Sequence, residues 1–291
     1  NNLTGKIAVI YRNTCEFGMK ALNAQNAGAV AVIVINRDPE VIAMGAGASG
    51  ASVTIPVVMI QNSDGDAIVN QMASGAVVMF LGNKTGLYAN DGGISPKAAL
   101  LPKQAIVPSY IAQNGTEFNF DLGARVFNYG NQAQASVSLN AKITNPSGAT
   151  VYDNSVTGLS IAAGDSTDVY PGGASTLPQF SLATYPTGTY TVTYTVGLGV
   201  ADQYDADNIL TSTFTISDSL YSYAQADATT GLPSGGNYYR PGTNNQTFSV
   251  CSVINDPNAS RMSVEGIYFA ATTSTASAVL LTGEEMALYL Y

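Results

Sequence analysis

Histidine is the most informative absence from this sequence. None of the 291 residues is a histidine, which excludes a Ser–His–Asp triad, a Cys–His nucleophile pair and any zinc site that needs an imidazole ligand. The chain has two cysteines, Cys15 and Cys251, too few for an all-cysteine zinc site or an iron–sulfur cluster. We therefore expect this chain to be no enzyme by itself.

Charged residues and long apolar runs are also scarce. Asp, Glu, Lys and Arg make up 11% of the chain, against roughly 25% in ordinary soluble domains. The net charge is −9, and such an acidic surface repels phosphate backbones, so we expect no nucleic-acid binding. The longest apolar run, residues 27–35, is far shorter than the roughly 20 residues that span a bilayer. We therefore expect no membrane insertion.

Residues 1–83 alternate predicted strands and helices. One helix is predicted over residues 16–27, followed by Gly28 at the position of a C-terminal glycine, and another over residues 63–74, with Ser63 as its N-cap. Four short runs are apolar and rich in β-branched residues, namely residues 6–11, 29–35, 56–60 and 76–81. Such runs are typical of buried strands, so four strands are predicted here.

A family resemblance is carried by residues 5–17, which run Gly-Lys-Ile-Ala-Val-Ile-Tyr-Arg-Asn-Thr-Cys-Glu-Phe. A glycine, an apolar strand, an arginine and then Cys-x-Phe resemble the signature of the protease-associated (PA) domain. Residues 20–29, 55–60 and 64–65 match the later landmarks of that family in order and spacing. The resemblance covers roughly the first quarter of the chain and implies an α+β domain that acts in protein interaction or as an access-controlling lid.

The resemblance also has consequences for the chain start and for Cys15. PA domains normally carry strands upstream of this signature, often with a cysteine that pairs with the one at Cys15. We therefore expect the chain to be a piece of a longer polypeptide and Cys15 to pair upstream. A bridge from Cys15 to Cys251, which would join two domains, is the alternative. The Gly- and Ala-rich loop at residues 37–53 is the expected mobile contact edge.

The pattern changes twice after residue 83. Residues 84–115 are rich in Pro, Gly and Asn and are predicted to be a linker. Residues 116–217 alternate apolar and polar positions, most clearly at residues 189–196, with regular turn signals between the runs. About seven short strands in such a segment predict an immunoglobulin-like β-sandwich. The order of its last elements resembles adhesion-type Ig-like repeats.

Residues 218–291 are predicted to begin a further, partial jelly-roll-like β-domain. The fold class expected for the chain is therefore mostly β and multi-domain. A PA domain, an Ig-like unit and a jelly-roll-like unit in tandem resemble large exported proteins of the Bacteroidetes, many of which leave through the type 9 secretion system. This resemblance implies an extracellular or outer-membrane surface location. The strands predicted in this segment are residues 247–252, 261–270, 277–282 and 286–291.

One loop carries candidate calcium ligands, because its side chains offer hard oxygen atoms at close spacing. It lacks the glycine and the distal glutamate of an EF-hand, and a solvated hairpin loop is the alternative interpretation. No other cofactor is expected. The four candidate ligands are Asp202, Asp205, Asp207 and Asn208.

Three further features have a functional and a structural interpretation. Asp64 and Asp66 could serve as an acid–base pair, or could favour the start of a helix through its dipole. Tyr238 and Tyr239 could stack on a sugar or a protein, or could be ordinary exposed tyrosines. Asp218-Ser219-Leu220 fits the short pattern that Bacteroidetes O-glycosylate, which makes Ser219 a candidate glycosylation site.

These observations predict a non-catalytic secreted or cell-surface protein that binds a protein partner or a cell-surface component. One alternative is the accessory region of a secreted peptidase whose catalytic domain lies outside this chain. Another is cargo bound by secretion machinery.

Overall fold

The chain divides into two compact units, Asn1–Asn83 and Lys84–Tyr291. The computed structural model describes residues 2–227, 230, 232, 251, 253–268, 287 and 289. Across these residues, no helix combines the length and the apolar character needed to cross a bilayer. The architecture is mostly β with several sheets, as the sequence predicts.

The N-terminal unit is built on a parallel sheet of three strands, β1 (Ile7–Tyr11), β2 (Ala31–Ile35) and β3 (Val57–Ile60), in the order β1-β2-β3. All five residues of β2 are buried. A central parallel strand is covered on both faces, which is why its sequence is continuously apolar. These three strands confirm three of the apolar runs predicted from the sequence.

Two helices cover this sheet, α1 (Phe17–Asn26) and α2 (Asn62–Ser74). Gly28 follows α1 with φ +95°, a left-handed conformation that glycine adopts without strain at a helix end. Gly65 lets α2 approach the sheet closely, because a Cβ at this position would overlap the side chain of Ile35. The core of the unit is formed by small and β-branched side chains, namely Ala8, Ala21, Ala24, Ala29, Val32 and Val34.

Two sequence predictions in this unit are wrong. Ser63 is not the cap of α2, because the helix begins one residue earlier and Asn62 Oδ1 accepts the Ser63 N–H at 2.8 Å. Residues 76–81 form no strand, and Val78 is 96% exposed. A β-branched run becomes a strand only where a neighbour offers backbone partners, and the described sheet offers none here.

The second unit contains ten described strands. They are β4 (Gly92–Ala99), β5 (Ile106–Pro108), β6 (Asn119–Phe120), β7 (Ala124–Asn128), β8 (Gln134–Thr144), β9 (Thr150–Ile161), β10 (Ser166–Val169), β11 (Phe180–Ser181), β12 (Gly188–Gly197) and β13 (Ile209–Ser217). One sheet has the order β5-β13-β12-β8-β9, a second β10-β7-β4, and β11 pairs with β6. Side chains of both larger sheets share one core, so the unit is a β-sandwich.

Residues 84–115, predicted to be a linker, contribute two strands to this sandwich. Strand β4 pairs with β7, and β5 pairs in parallel with β13. Both are edge strands, where proline is tolerated because one side of the backbone needs no ladder partner. Pro96 lies where the β4–β7 register shifts, and Pro108 ends β5. The Pro- and Gly-rich composition that indicated a linker therefore marks the sheet edges.

Aromatic side chains fill the centre of the sandwich. The ring of Phe214 lies 4.8 Å from that of Tyr190 and 5.6 Å from that of Phe118, measured between centroids. The hydroxyl of Tyr194 donates to the Leu100 carbonyl at 2.8 Å and accepts the Gly123 N–H at 3.0 Å. Burial raises the pKa of Tyr194 and raises that of Tyr190 to about 12, so these phenols stay neutral.

The predicted third domain lies mostly outside the described residues. Where residues 218–227 and 253–268 are described, they contain no strand. Ser222 forms an isolated bridge with Ile106, and Ala259–Arg261 form a short helical turn. Described residues 261–268 are therefore not the strand predicted for residues 261–270. The other strands predicted in this segment fall largely or wholly outside the described residues.

We predict that Tyr194→Phe lowers the free energy of unfolding of the second unit by about 1–3 kcal/mol, because it leaves the buried Gly123 N–H and the partly buried Leu100 carbonyl without this partner. Urea denaturation followed by tyrosine fluorescence measures the loss. Tyr190→Phe is the matched control, because the Tyr190 hydroxyl donates a hydrogen bond to the Pro186 carbonyl at 3.0 Å. Equal losses for the two variants would contradict the bridging role of Tyr194.

Candidate functional site

The first candidate site lies at the carboxyl edge of the parallel sheet, where open α/β sheets usually bind their ligands. Arg12 follows β1 and Asn36 follows β2. Arg12 Nη1 donates to Asn36 Oδ1 at 2.9 Å and lies 3.3 Å from Asp38 Oδ2. Asn36 is 1% exposed, and its amide donates to the Glu40 carbonyl. This network fixes the start of residues 37–53, which we name the edge loop.

The middle and the end of the edge loop are bound to helix α1. The Glu16 carboxylate accepts the Ala48 N–H at 3.1 Å. Gln25 Oε1 accepts the N–H groups of Thr54 at 2.7 Å and of Ile55 at 3.3 Å, while its Nε2 donates to the Ser52 carbonyl at 3.1 Å. One glutamine thus replaces the regular backbone pairing that a loop lacks.

Between these anchors the edge loop exposes apolar side chains. Val41 is 55% exposed and Ile42 39%, whereas Met44 packs against the core of the unit. No charged residue follows Glu40 within the loop. The geometry is therefore an apolar contact surface on a backbone that is held at several points.

The second candidate site surrounds the ammonium group of Lys84 in the sandwich unit. Lys84 Nζ lies 2.7 Å from Asp91 Oδ1 and 2.6 Å from Asp207 Oδ2. The same nitrogen lies 4.1 Å from the ring centroid of Tyr129 and 4.7 Å from that of Tyr204. Two carboxylates and two aromatic faces thus enclose one cation, and each attracts it.

The burial of this cluster sets its electrostatics. Desolvation raises the pKa of Asp91, which is 0% exposed, and the nearby Lys84 only partly offsets this effect. Burial opposes the charge on Lys84, but the hydrogen bonds and charges of Asp207 and Asp91 outweigh it, so the pKa of Lys84 is raised. Asp91 Oδ2, Asp207 Oδ1 and Asn208 Oδ1 are buried without a hydrogen-bond partner.

Among the four predicted calcium ligands, the structure joins Asp202 to Asn208 and gives Asp205 and Asp207 other surroundings. Asp202 accepts the Gly92 N–H at 2.9 Å and the side-chain amide of Asn208 at 3.0 Å. Asp207 contacts Lys84, while Asp205 is exposed on a short helical turn. In the described part of the chain, no group of three or more acidic, histidine or cysteine side chains is arranged to hold a metal ion. Calcium binding therefore stays a prediction.

Sequence reasoning missed Lys84 and Asp91, the two residues that complete this cluster. Both lie in the segment predicted to be a linker, far along the chain from Asp207. No sequence pattern signals that these residues lie close together. Their proximity arises in the fold, where β4 pairs with β7 and also contacts the loop that precedes β13.

The other predicted site residues are not among the hydrogen-bonding residues described for the two candidate sites. Cys15 and Cys251 are exposed and neither forms a disulfide in the described chain, so the predicted upstream partner of Cys15 is untested. Asp64 is in the first turn of α2. Asp66 is exposed and lies in the same helix after its first turn. Ser219 is exposed, as a glycosylation site must be. Tyr238 and Tyr239 lie outside the described residues.

The parallel three-stranded sheet and its two helices agree with one known family. Residues 1–68 match the family model of the PA domain. The matched segment contains strands β1 to β3, helix α1, the first half of α2 and the edge loop. The resemblance found in the sequence is confirmed for this segment.

The curated relatives match only part of this chain. Aminopeptidase YwaD of Bacillus subtilis (strain 168) is 45% identical over 67 residues, which are 23% of this chain and 15% of that protein. Signal peptide peptidase-like 3 of Arabidopsis thaliana is 40% identical over 83 residues, 28% of this chain and 15% of that protein. The chain thus spans about a seventh of the length of these relatives.

Solved structures similar to the chain include two proteins of low identity. The crystal structure of the CARDB domain of the PF1109 protein from Pyrococcus furiosus has a TM-score of 0.31 and 15% identity, covering 48% of this chain and 99% of that chain. The exo-chitosanase CsxA of Amycolatopsis orientalis has a TM-score of 0.25 and 20% identity, covering 33% of this chain and 10% of that chain.

We predict that Gln25→Ala loosens the end of the edge loop without unfolding the PA domain. Losing a hydrogen bond of this kind costs about 1 kcal/mol, so the amides of Thr54 and Ile55 should exchange several-fold faster. Hydrogen–deuterium exchange measures this change. Gln71→Ala, at an exposed position of α2, is the control, and equal exchange in both variants would contradict the role of Gln25.

Proposed function

We propose that this chain is a non-catalytic accessory region whose PA domain binds a protein partner through the edge loop. The observation that carries the proposal is the exposed pair Val41 and Ile42 on a backbone held by Arg12, Glu16 and Gln25. A backbone held before binding loses less conformational entropy when a partner docks. When a partner covers these exposed apolar side chains, apolar surface is removed from water, and this favours binding.

The proposed location of this region is the outside of the cell, on a secreted or surface-attached polypeptide. The absence of histidine and the scarcity of charge support an accessory role over a catalytic one. Export through a type 9 secretion system, with this chain as cargo, belongs to the same proposal and rests on the succession of domains in the sequence.

A second candidate function is an accessory region of a secreted peptidase. The observation that favours it is the 45% identity to aminopeptidase YwaD over 67 residues. In this case the edge loop would contact polypeptide substrates, or a catalytic domain outside this chain, and would influence which substrates reach that domain.

The proposal is tested with the full chain and a phage-displayed library of random peptides as the probe. We expect the wild-type chain to enrich a defined set of peptides and the double variant Val41→Ser/Ile42→Ser to lose that enrichment by at least about fivefold, because the loss of two apolar contacts with the bound peptide costs about 1–3 kcal/mol. Circular dichroism checks that the variant stays folded.

Val200→Ser is the matched control, because Val200 is 54% exposed but lies in the sandwich unit. It should leave the enrichment unchanged. Enrichment that survives the double variant, or that falls equally in the control, would refute the edge loop as the binding surface. Hydrolysis of casein or of aminoacyl p-nitroanilides by the purified chain would refute the non-catalytic assignment.

A further inference from the structure

We propose that Lys84 and Asp207 form an intramolecular amide bond that covalently closes the sandwich unit, with Asp91 as the proton carrier. The inference starts from three side chains that no sequence pattern joins and that nevertheless share one partly buried site. Lys84 is the first residue of the unit, Asp91 directly precedes β4, and Asp207 lies just before the last described strand, β13.

The geometry places a nucleophile beside its electrophile. Lys84 Nζ lies 2.6 Å from Asp207 Oδ2, and the carboxyl carbon is one bond beyond that oxygen. The nitrogen is therefore near the separation of about 3–3.5 Å from which held groups react. The rings of Tyr129 and Tyr204 enclose Nζ and limit the positions that Lys84 can adopt.

Burial opposes the charges of Lys84 and Asp91, although the two carboxylates still raise the pKa of Lys84. Taking a charged pair out of water costs free energy that a neutral amide avoids. Asp91 Oδ2 and Asp207 Oδ1 are buried without a partner, which is costly for a carboxylate and less so for a protonated acid or an amide. Burial also raises the pKa of Asp91, which suits this residue to hold a proton during the reaction.

The reaction balances without any further reactant. The Lys84 ammonium transfers one proton to Asp91, and the neutral amine attacks Cγ of Asp207 to form the N–C bond. Asp91 returns the proton to a departing oxygen of Asp207, and the amine's second proton follows, so one C–O bond breaks and one water leaves. Ammonium plus carboxylate thus become amide plus water. The Asp207 side chain is 30% exposed, which gives the water a way out.

The position of the bond gives it a mechanical role. The sequence places no cysteine between residues 84 and 250, so the described sandwich has no disulfide to close it. An amide from Lys84 to Asp207 would join the beginning of the unit to the start of β13. Tension entering at residue 84 would then pass through a covalent bond instead of through the edge strands β4 and β5.

The test is the intact mass of the full chain, expressed and purified in the folded state and measured under denaturing conditions. We expect the dominant species to be lighter than the sequence mass by one water molecule. Digestion should yield one cross-linked species that contains Lys84 and Asp207, and trypsin should not cleave after Lys84. A dominant species at the full sequence mass overturns the proposal, as does a cross-link between any other pair.

Variants separate this bond from dehydration elsewhere in the chain. Lys84→Arg keeps the positive charge but cannot form the amide, and Asp91→Asn removes the proton carrier, so both should show the full mass calculated for the variant. Lys142→Arg, at an exposed position of β8, is the control and should keep the deficit of one water. A deficit that persists in Lys84→Arg would assign the lost water to another site and overturn the proposal.

Discussion

The sandwich unit depends on buried tyrosines whose hydroxyl groups reach the backbone. Tyr194 is fully buried on β12, yet its hydroxyl contacts Leu100 and Gly123. Tyr152 and Tyr185 likewise donate to the carbonyls of Pro178 and Phe118. Irregular segments between strands carry backbone groups that no ladder satisfies. The tyrosine hydroxyls form hydrogen bonds with some of these backbone groups, while the tyrosine rings fill the core. The same residues therefore provide both core packing and backbone hydrogen bonds.

Charged residues are scarce in this chain, and three of them, Lys84, Asp91 and Asp207, meet in one partly buried cluster. An isolated charge in a core is costly, and removing one partner of a buried pair is costlier than never having had the pair. Lys84 is therefore committed to Asp91 and Asp207, and these three groups tie the first residues of the unit to the segment that leads into β13. Whether the link is ionic or covalent, it anchors the segment whose composition resembles that of a linker.

In the PA domain, polar side chains hold a loop that exposes apolar side chains. A central strand with every residue buried supplies rigidity, and polar side chains at its carboxyl edge fix the loop. Asn36 is buried so that its amide can hold Arg12 and the Glu40 carbonyl together. Function in this unit would then reside in the loop, and stability in the sheet, a division common in α/β domains.

The sequence by itself determined the elements whose signals are local. These include the three strands of the PA domain, helix α1 with its terminal Gly28, and the alternating strands β8, β12 and β13. Only the tertiary structure decided which apolar runs find a partner, which is why residues 76–81 are not a strand while β4 and β5 are. It also decided that Lys84, Asp91 and Asp207 meet, because contacts between residues distant in sequence depend on strand pairing, and strand pairing leaves no mark in the composition of either segment alone.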